Sequence, residues 1–108
     1  MTAREWKARC PKEKLEPFIE YLFITGVEDA ARIEGYAGSQ IFTREVEGLC
    51  EVTLITYWDS VESIKAFAGD NIETARLYPD DFKFGLQPDG FVIHRNVIIS
   101  DLHFDRKR

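Results

Sequence analysis

The run from Glu51 to Trp58 constrains this chain more than any other stretch. Val52, Thr53, Leu54, Ile55, Thr56, Tyr57 and Trp58 are nearly all β-branched or aromatic, types that fit a pleated, half-buried surface. The run therefore predicts a strand. Successive side chains alternate between faces, so Val52, Leu54 and Trp58 share one side while Ile55 and Tyr57 share the other. Neither set is polar, and a strand of this kind needs cover on both faces.

Periodicity places the remaining elements around that strand. Trp6, Ala8 and Cys10 alternate with Glu5, Lys7 and Arg9, a half-buried strand that stops at Pro11. Leu15, Phe18, Ile19, Leu22 and Phe23 follow at the spacing of one helical face. Pro17 confines the helix start to residues 13–16, and Gly26 is read as its C-terminal cap. Residues 27–38 read as irregular, with room for one further turn at Val27, Ala30 and Ala31. Ser39 to Val46 reads as a second strand, joined to Glu51–Trp58 through a Glu47-Gly48 hairpin turn.

Beyond Trp58, Asp59-Ser60 supplies an N-cap and Glu62 sits in the first turn, where the helix dipole favours a carboxylate. Val61, Ile64, Phe67 and Ala68 form the buried stripe of that helix, and Gly69 ends it. Residues 71–78 and 79–84 are expected to be short helical pieces, the second opened by Pro79. Gln87-Pro88-Asp89-Gly90 reads as a turn and Phe91 to Ile99 as the last strand, with a possible reach to Phe104. The order β-α-β-β-α-β is the split βαβ, ferredoxin-like α+β arrangement, an antiparallel four-stranded sheet with two helices on one face.

Two helices cover one face of such a sheet. The last strand sets Phe91, Ile93, Val97 and Ile99 against Val92, His94 and Ile98, so the open face also carries apolar groups. At about 25 cal/mol per Å2, hiding several hundred Å2 of it stabilises an assembly by several kcal/mol. A two-fold homodimer is the expected solution.

Composition bounds the function. At 108 residues and 44% hydrophobic, the chain is one domain, residues 1–108, with 100–108 as an extended tail, and not a disordered segment. No apolar run approaches the roughly 18–20 residues of a membrane span. With 14 basic against 19 acidic residues the net charge is -5, which argues against nucleic acid; the Arg106-Lys107-Arg108 tail is read as a solubility feature. Cys10 and Cys50 have no C-x-x-C spacing and are read as buried free thiols. Without a signal-peptide pattern at the N-terminus, the expected compartment is the cytoplasm.

The run Trp58-Asp59-Ser60-Val61-Glu62-Ser63-Ile64-Lys65-Ala66-Phe67-Ala68-Gly69 is followed by Ala75, Tyr78-Pro79-Asp80 and Val92-Ile93-His94. Together, across residues 36–99, these resemble the antibiotic biosynthesis monooxygenase-like family of dimeric α/β barrels. The resemblance implies ferredoxin-like protomers paired back to back. Its implied activities range over cofactor-independent oxygenation of polycyclic aromatic molecules, haem degradation and no chemistry at all.

His94 lies within the last strand and is the candidate general base, the alternative being a histidine hydrogen-bonded within the fold or at the dimer seam. Asn96 shares its face two residues on. Trp58 and Phe67 could wall a pocket or pack the core, and Tyr78 lies where a pocket mouth could form. His103 is read as solvated. Glu62 is read as a helix-dipole residue, and Asp80-Asp81 lacks the further oxygens of a calcium or magnesium site. No dinucleotide, phosphate-loop or zinc motif is present, so no cofactor is expected. The first reading is a cytoplasmic homodimeric monooxygenase-like protein acting on a small aromatic or polyketide-like molecule. The rivals are a non-catalytic binding or stress-related module and a haem-degrading monooxygenase.

Overall fold

A computed structural model describes residues 1–104. Five antiparallel strands form one sheet: β1 Thr2–Cys10, β2 Tyr36–Val46, β3 Leu49–Trp58, β4 Gln87–Pro88 and β5 Ile93–Asn96. The order is β2-β3-β1-β4, with β5 also paired to β1. β4 and β5 lie along the same edge of β1, so the expected fourth strand is present in two pieces. Helices α1 (Leu15–Leu22), α2 (Asp29–Ala31) and α3 (Val61–Ala68) complete an α+β ferredoxin-like fold.

The strand predicted most strongly sits at the centre. β3 pairs with β1 from Thr2↔Trp58 to Cys10↔Cys50 and with β2 along its other edge. Glu47 (φ 52°) and Gly48 (φ 83°) make the hairpin turn between β2 and β3, a conformation that matches the twist of paired strands. The two cysteines face each other across the strands, buried and free.

One face of the sheet meets the helices. Ala8, Cys10, Val52 and Leu54 pack with Phe18 and Leu22 of α1. Trp58 packs with Ala30 and Ile64 in a second cluster. Ser60 caps α3, its hydroxyl accepting the Ser63 N–H at 3.2 Å, and Gly69 ends that helix at φ 91°.

Several expectations are corrected. Gly26 does not end a helix: α1 runs on as a π-helical segment, Phe23–Glu28, and then α2. The glycine serves packing, since a Cβ there would lie 2.8 Å from Leu54 Cδ2 and 3.0 Å from Leu22 Cδ1. Residues 71–78 are not helical. Thr74 bridges Phe91, Ala75 N–H bonds Gly90 O at 2.9 Å and Val92 N–H bonds Glu73 O at 2.9 Å, so neighbouring backbone replaces the helix's own bonds. Gln87-Pro88 is strand rather than turn, because the outer edge of β1 at Ala8 and Arg9 takes it as a partner. The last strand stops at Asn96, opposite Thr2 where β1 begins; only the Val97 N–H bond to Met1 O continues the pairing. Residues 97–104 have no regular structure, and Ile98 and Ile99 are exposed. Lys107 and its arginine neighbours lie outside the described residues.

The open face mixes apolar and charged groups. Phe42, Ile55, Tyr57 and Ile93 lie on it, but Glu5 stands between Ile55 and Ile93 and pairs with Arg95 at 2.8 Å. A second row of charge crosses it: Arg44 Nε bonds Glu51 at 2.8 Å, Arg9 Nε reaches Glu51 at 3.8 Å, and Arg9 pairs with Asp89 at 3.0 Å. The Arg44 hydrogen bond holds the buried Glu51 carboxyl below its ordinary range, against an opposing desolvation effect. A carboxyl lowered in the folded state stabilises it above the unfolded pKa, and that contribution is lost as pH falls through the folded value. Glu51→Gln is therefore expected to unfold more easily at neutral pH and to show a shallower loss of stability below about pH 4.3, the ordinary glutamate value, in urea titrations at stepped pH.

Candidate functional site

Four residues of the helix-facing side converge on the paired strands β1 and β3. Arg4 and Trp6 of β1 lie opposite Thr56 and Leu54 of β3. Above them pass Leu22 of α1 and Thr25 and Gly26 of the π-helical segment, and Phe67, Arg76, Tyr78, Asp81 and Val92 close the sides. They enclose a cavity of about 40 Å3, room for roughly three waters. An engineered apolar cavity that takes benzene measures about 150 Å3, so a ring-sized ligand must displace part of the wall. The segment 70–78, without helix or regular strand, supplies Arg76 and Tyr78 to that wall.

Tyr78 braces that segment. Its hydroxyl lies 3.0 Å from Thr25 O and 2.9 Å from Asp29 Oδ2, tying the loop to the π-helical turn. Wide turns of this type recur at functional sites. Burial first, then the bond to Asp29, pushes the phenol well above its usual pKa, so it stays neutral. The Tyr78 N–H donates to Asp81 Oδ2 at 2.7 Å, and burial pushes Asp81 above the usual aspartate range. Arg76 lies 4.7 Å over the Phe67 ring and 5.0 Å over that of Tyr78.

Arg4 is 5% exposed. Its guanidinium donates to Ile72 O, to Thr74 O at 3.1 Å and to His94 Nε2 at 3.2 Å. An arginine has no acceptor, so His94 Nε2 accepts and the neutral ring carries its proton on Nδ1. Burial, then the Arg4 charge, lowers the His94 pKa, only partly offset by Glu73. The imidazole is thus neutral at pH 7.

The residues singled out in the sequence divide between three places. Phe67 and Tyr78 line the cavity. His94 and Asn96 line a separate, larger and more open recess of about 260 Å3 with Glu73 and Ile72, and Arg4 stands between it and the cavity. Trp58 is fully buried behind both. It packs on Tyr36 and Phe67, each at 5.7 Å between ring centroids, and donates from Nε1 to Thr56 Oγ1 at 2.8 Å. It meets the cavity through Thr56 and Phe67. His103 contacts Asp101. Among the described residues no group of three His, Cys, Asp or Glu side chains is placed to hold a metal ion, and no helix is long and apolar enough to cross a membrane.

Arg4 is the residue that sequence reasoning missed. Extending the Trp6-Ala8-Cys10 alternation backwards by one step puts Arg4 in the buried phase, a charge where the pattern demands an apolar group. That mismatch was the available signal. Thr25 and Arg76 gave none, since both depend on chain paths that periodicity does not encode.

No protein-family model matches the sequence, and no curated protein is similar to it. Solved structures do share its shape. A dimeric ferredoxin-like protein from an uncultured marine organism matches with a TM-score of 0.62 at 16% identity, covering 95% of this chain and 100% of its own. A protein assigned as an antibiotic biosynthesis monooxygenase from Bacillus cereus matches with a TM-score of 0.62 at 16% identity, over 97% and 98%. A variant of MhuD with two manganese protoporphyrin IX molecules bound per active site matches with a TM-score of 0.60 at 18% identity, over 95% and 100%. The likeness is one of fold, and the fold is the one that the Trp58–Gly69 resemblance implied.

Proposed function

We propose, from a fold shared with antibiotic biosynthesis monooxygenase-like proteins, that this chain is a cytoplasmic homodimeric monooxygenase-like protein whose cavity under α1 receives a small aromatic or polyketide-like molecule. The observation that carries the reading is the cavity itself. It is walled by Trp6, Leu22, Leu54, Phe67, Tyr78 and Val92, and a few polar groups, Arg4 and Thr56 among them, face it. Small-molecule sites have this mixture of apolar wall and sparse polar anchors. Pairing is supported by exposed Ile93, Ile98, Ile99, Leu102 and Phe104, and by the dimeric state of one structural neighbour.

Cofactor-free oxygenation asks the protein to remove a proton from an electron-rich substrate and hold the resulting anion. The carbanion carbon then bonds to O2 and, with a proton, becomes a hydroperoxide; loss of the second C–H proton as the O–O bond breaks leaves C=O and releases water, so that CH2 and O2 become C=O and H2O. His94 is the base, positioned beside Arg4. Its Nε2 can take a proton only when Arg4 turns its N–H elsewhere. His94→Ala is expected to stay dimeric and folded and to lose at least tenfold in oxygen consumption on a phenolic or quinol substrate, read with an oxygen electrode. Full turnover in that variant would remove the base assignment.

The engaged Nε2 also favours a second reading, a binding module of the same fold without chemistry. It predicts ligand retained through purification and no oxygen uptake by the wild type. A haem-degrading role predicts instead a Soret band on haem titration that decays with reductant.

A further inference from the structure

We infer that the cavity's ligand presents an anionic oxygen, a carboxylate or a stabilised enolate or phenolate, to the Arg4 guanidinium. This rests on the cavity reading above and adds the charge class of the ligand.

Arg4 is buried, yet each of its polar partners is neutral: two backbone carbonyls and the lone pair of His94. Among the described residues no carboxylate pairs with it. Carbonyl dipoles solvate a cation without cancelling its charge, and a buried charge lacking a counter-charge is costly. Burial lowers the guanidinium to about 10, which leaves it charged at neutral pH.

The rest of the wall does not supply the missing anion. Among the described residues Asp81 is the one carboxyl lining the cavity, and its Oδ2 already accepts the Tyr78 N–H. Arg76, the second cation there, stacks on Phe67 and Tyr78 and donates to Phe67 O at 2.9 Å. Two guanidinium groups against one carboxyl leave the cavity with excess positive charge. Of the five N–H donors of Arg4, three are bonded; the Nε–H and one Nη2–H make no bond among the described residues. Two free donors on a planar fork suit the oxygens of a carboxylate, and an enolate oxygen can take one or both. The wall beyond that oxygen is apolar, with Trp6, Leu22, Leu54 and Val92 lining it.

The test is calorimetric titration of the full chain with benzoate, with its neutral counterpart benzamide, and with 4-nitrophenolate at mildly alkaline pH. The expected result is binding of the anions and at least tenfold weaker binding of benzamide. Arg4→Met should abolish that preference and Arg4→Lys should retain it; if the methionine variant fails to fold, the lysine variant and the wild-type pair still decide. Whether benzoate or 4-nitrophenolate binds more tightly separates a carboxylate ligand from a phenolate one. Equal affinity for benzoate and benzamide would overturn the charge assignment while the cavity reading stood. Binding of none of the three would overturn the cavity reading and this inference with it.

Discussion

Trp58→Ala is expected to cost about 3–5 kcal/mol of folding stability, the range for deleting a large buried aromatic side chain. Trp58 is 0% exposed and lies between Tyr36 and Phe67, so truncation leaves a void that the sheet cannot close from its own side. It also strips Thr56 Oγ1 of its buried donor, an added penalty for an unmet polar group. Urea denaturation followed by far-UV circular dichroism measures the loss. Trp58→Phe keeps most of the volume and should recover more than half of it. The experiment also decides what the tryptophan is for. A loss under about 1 kcal/mol together with abolished ligand binding would make it a pocket wall rather than a packing residue.

Gly35→Ala is the second large effect, expected at about 3 kcal/mol or more from backbone strain combined with overpacking. Gly35 has φ +99°, where side chains other than glycine are strained. An added Cβ would also fall within contact of Ser63 Oγ and Asp59 Oδ1, and 2.8 Å from Ser63 Cβ. Those groups form the start of α3: Ser63 Oγ–H donates to Asp59 at 3.1 Å, and Asp59 N–H bonds Gly35 O at 2.9 Å. The clash therefore pushes against the helix that carries Ile64 and Phe67. Gly38→Ala is the control. Its φ is +143° with open space around the new methyl, so it reports the strain alone, and the excess in Gly35→Ala reports the collision. Equal losses in the two variants, compared by thermal unfolding, would show that the contact with Ser63 is relieved at no cost.

The hairpin, the Ser60 cap, the Gly69 stop and the Pro79 start of the short 3-10 helix Pro79–Phe84 were legible because each is set by residues within a few positions. The helix beyond Gly26 was not. Glycine after an apolar stripe is a common terminator, but here Leu54 and Leu22 take up the space a side chain would fill, and packing overrides the local preference. Residues 71–78 went the same way: their backbone found partners at Gly90 and Val92. The site was legible in part. Phe67 and Tyr78 reach one cavity, whereas His94 stands behind Arg4 in the neighbouring recess.

The sequence by itself determined the order of the main strands and helices, because hydrophobic period and turn chemistry act over short range. Only the tertiary structure decided that Arg4, Phe67 and Tyr78, scattered along the chain, share one cavity, and that a buried cation there meets no carboxylate among the described residues. Such facts depend on strand register and on how a helix crosses a sheet. Both are set by packing across the whole fold, and no window of the chain contains them.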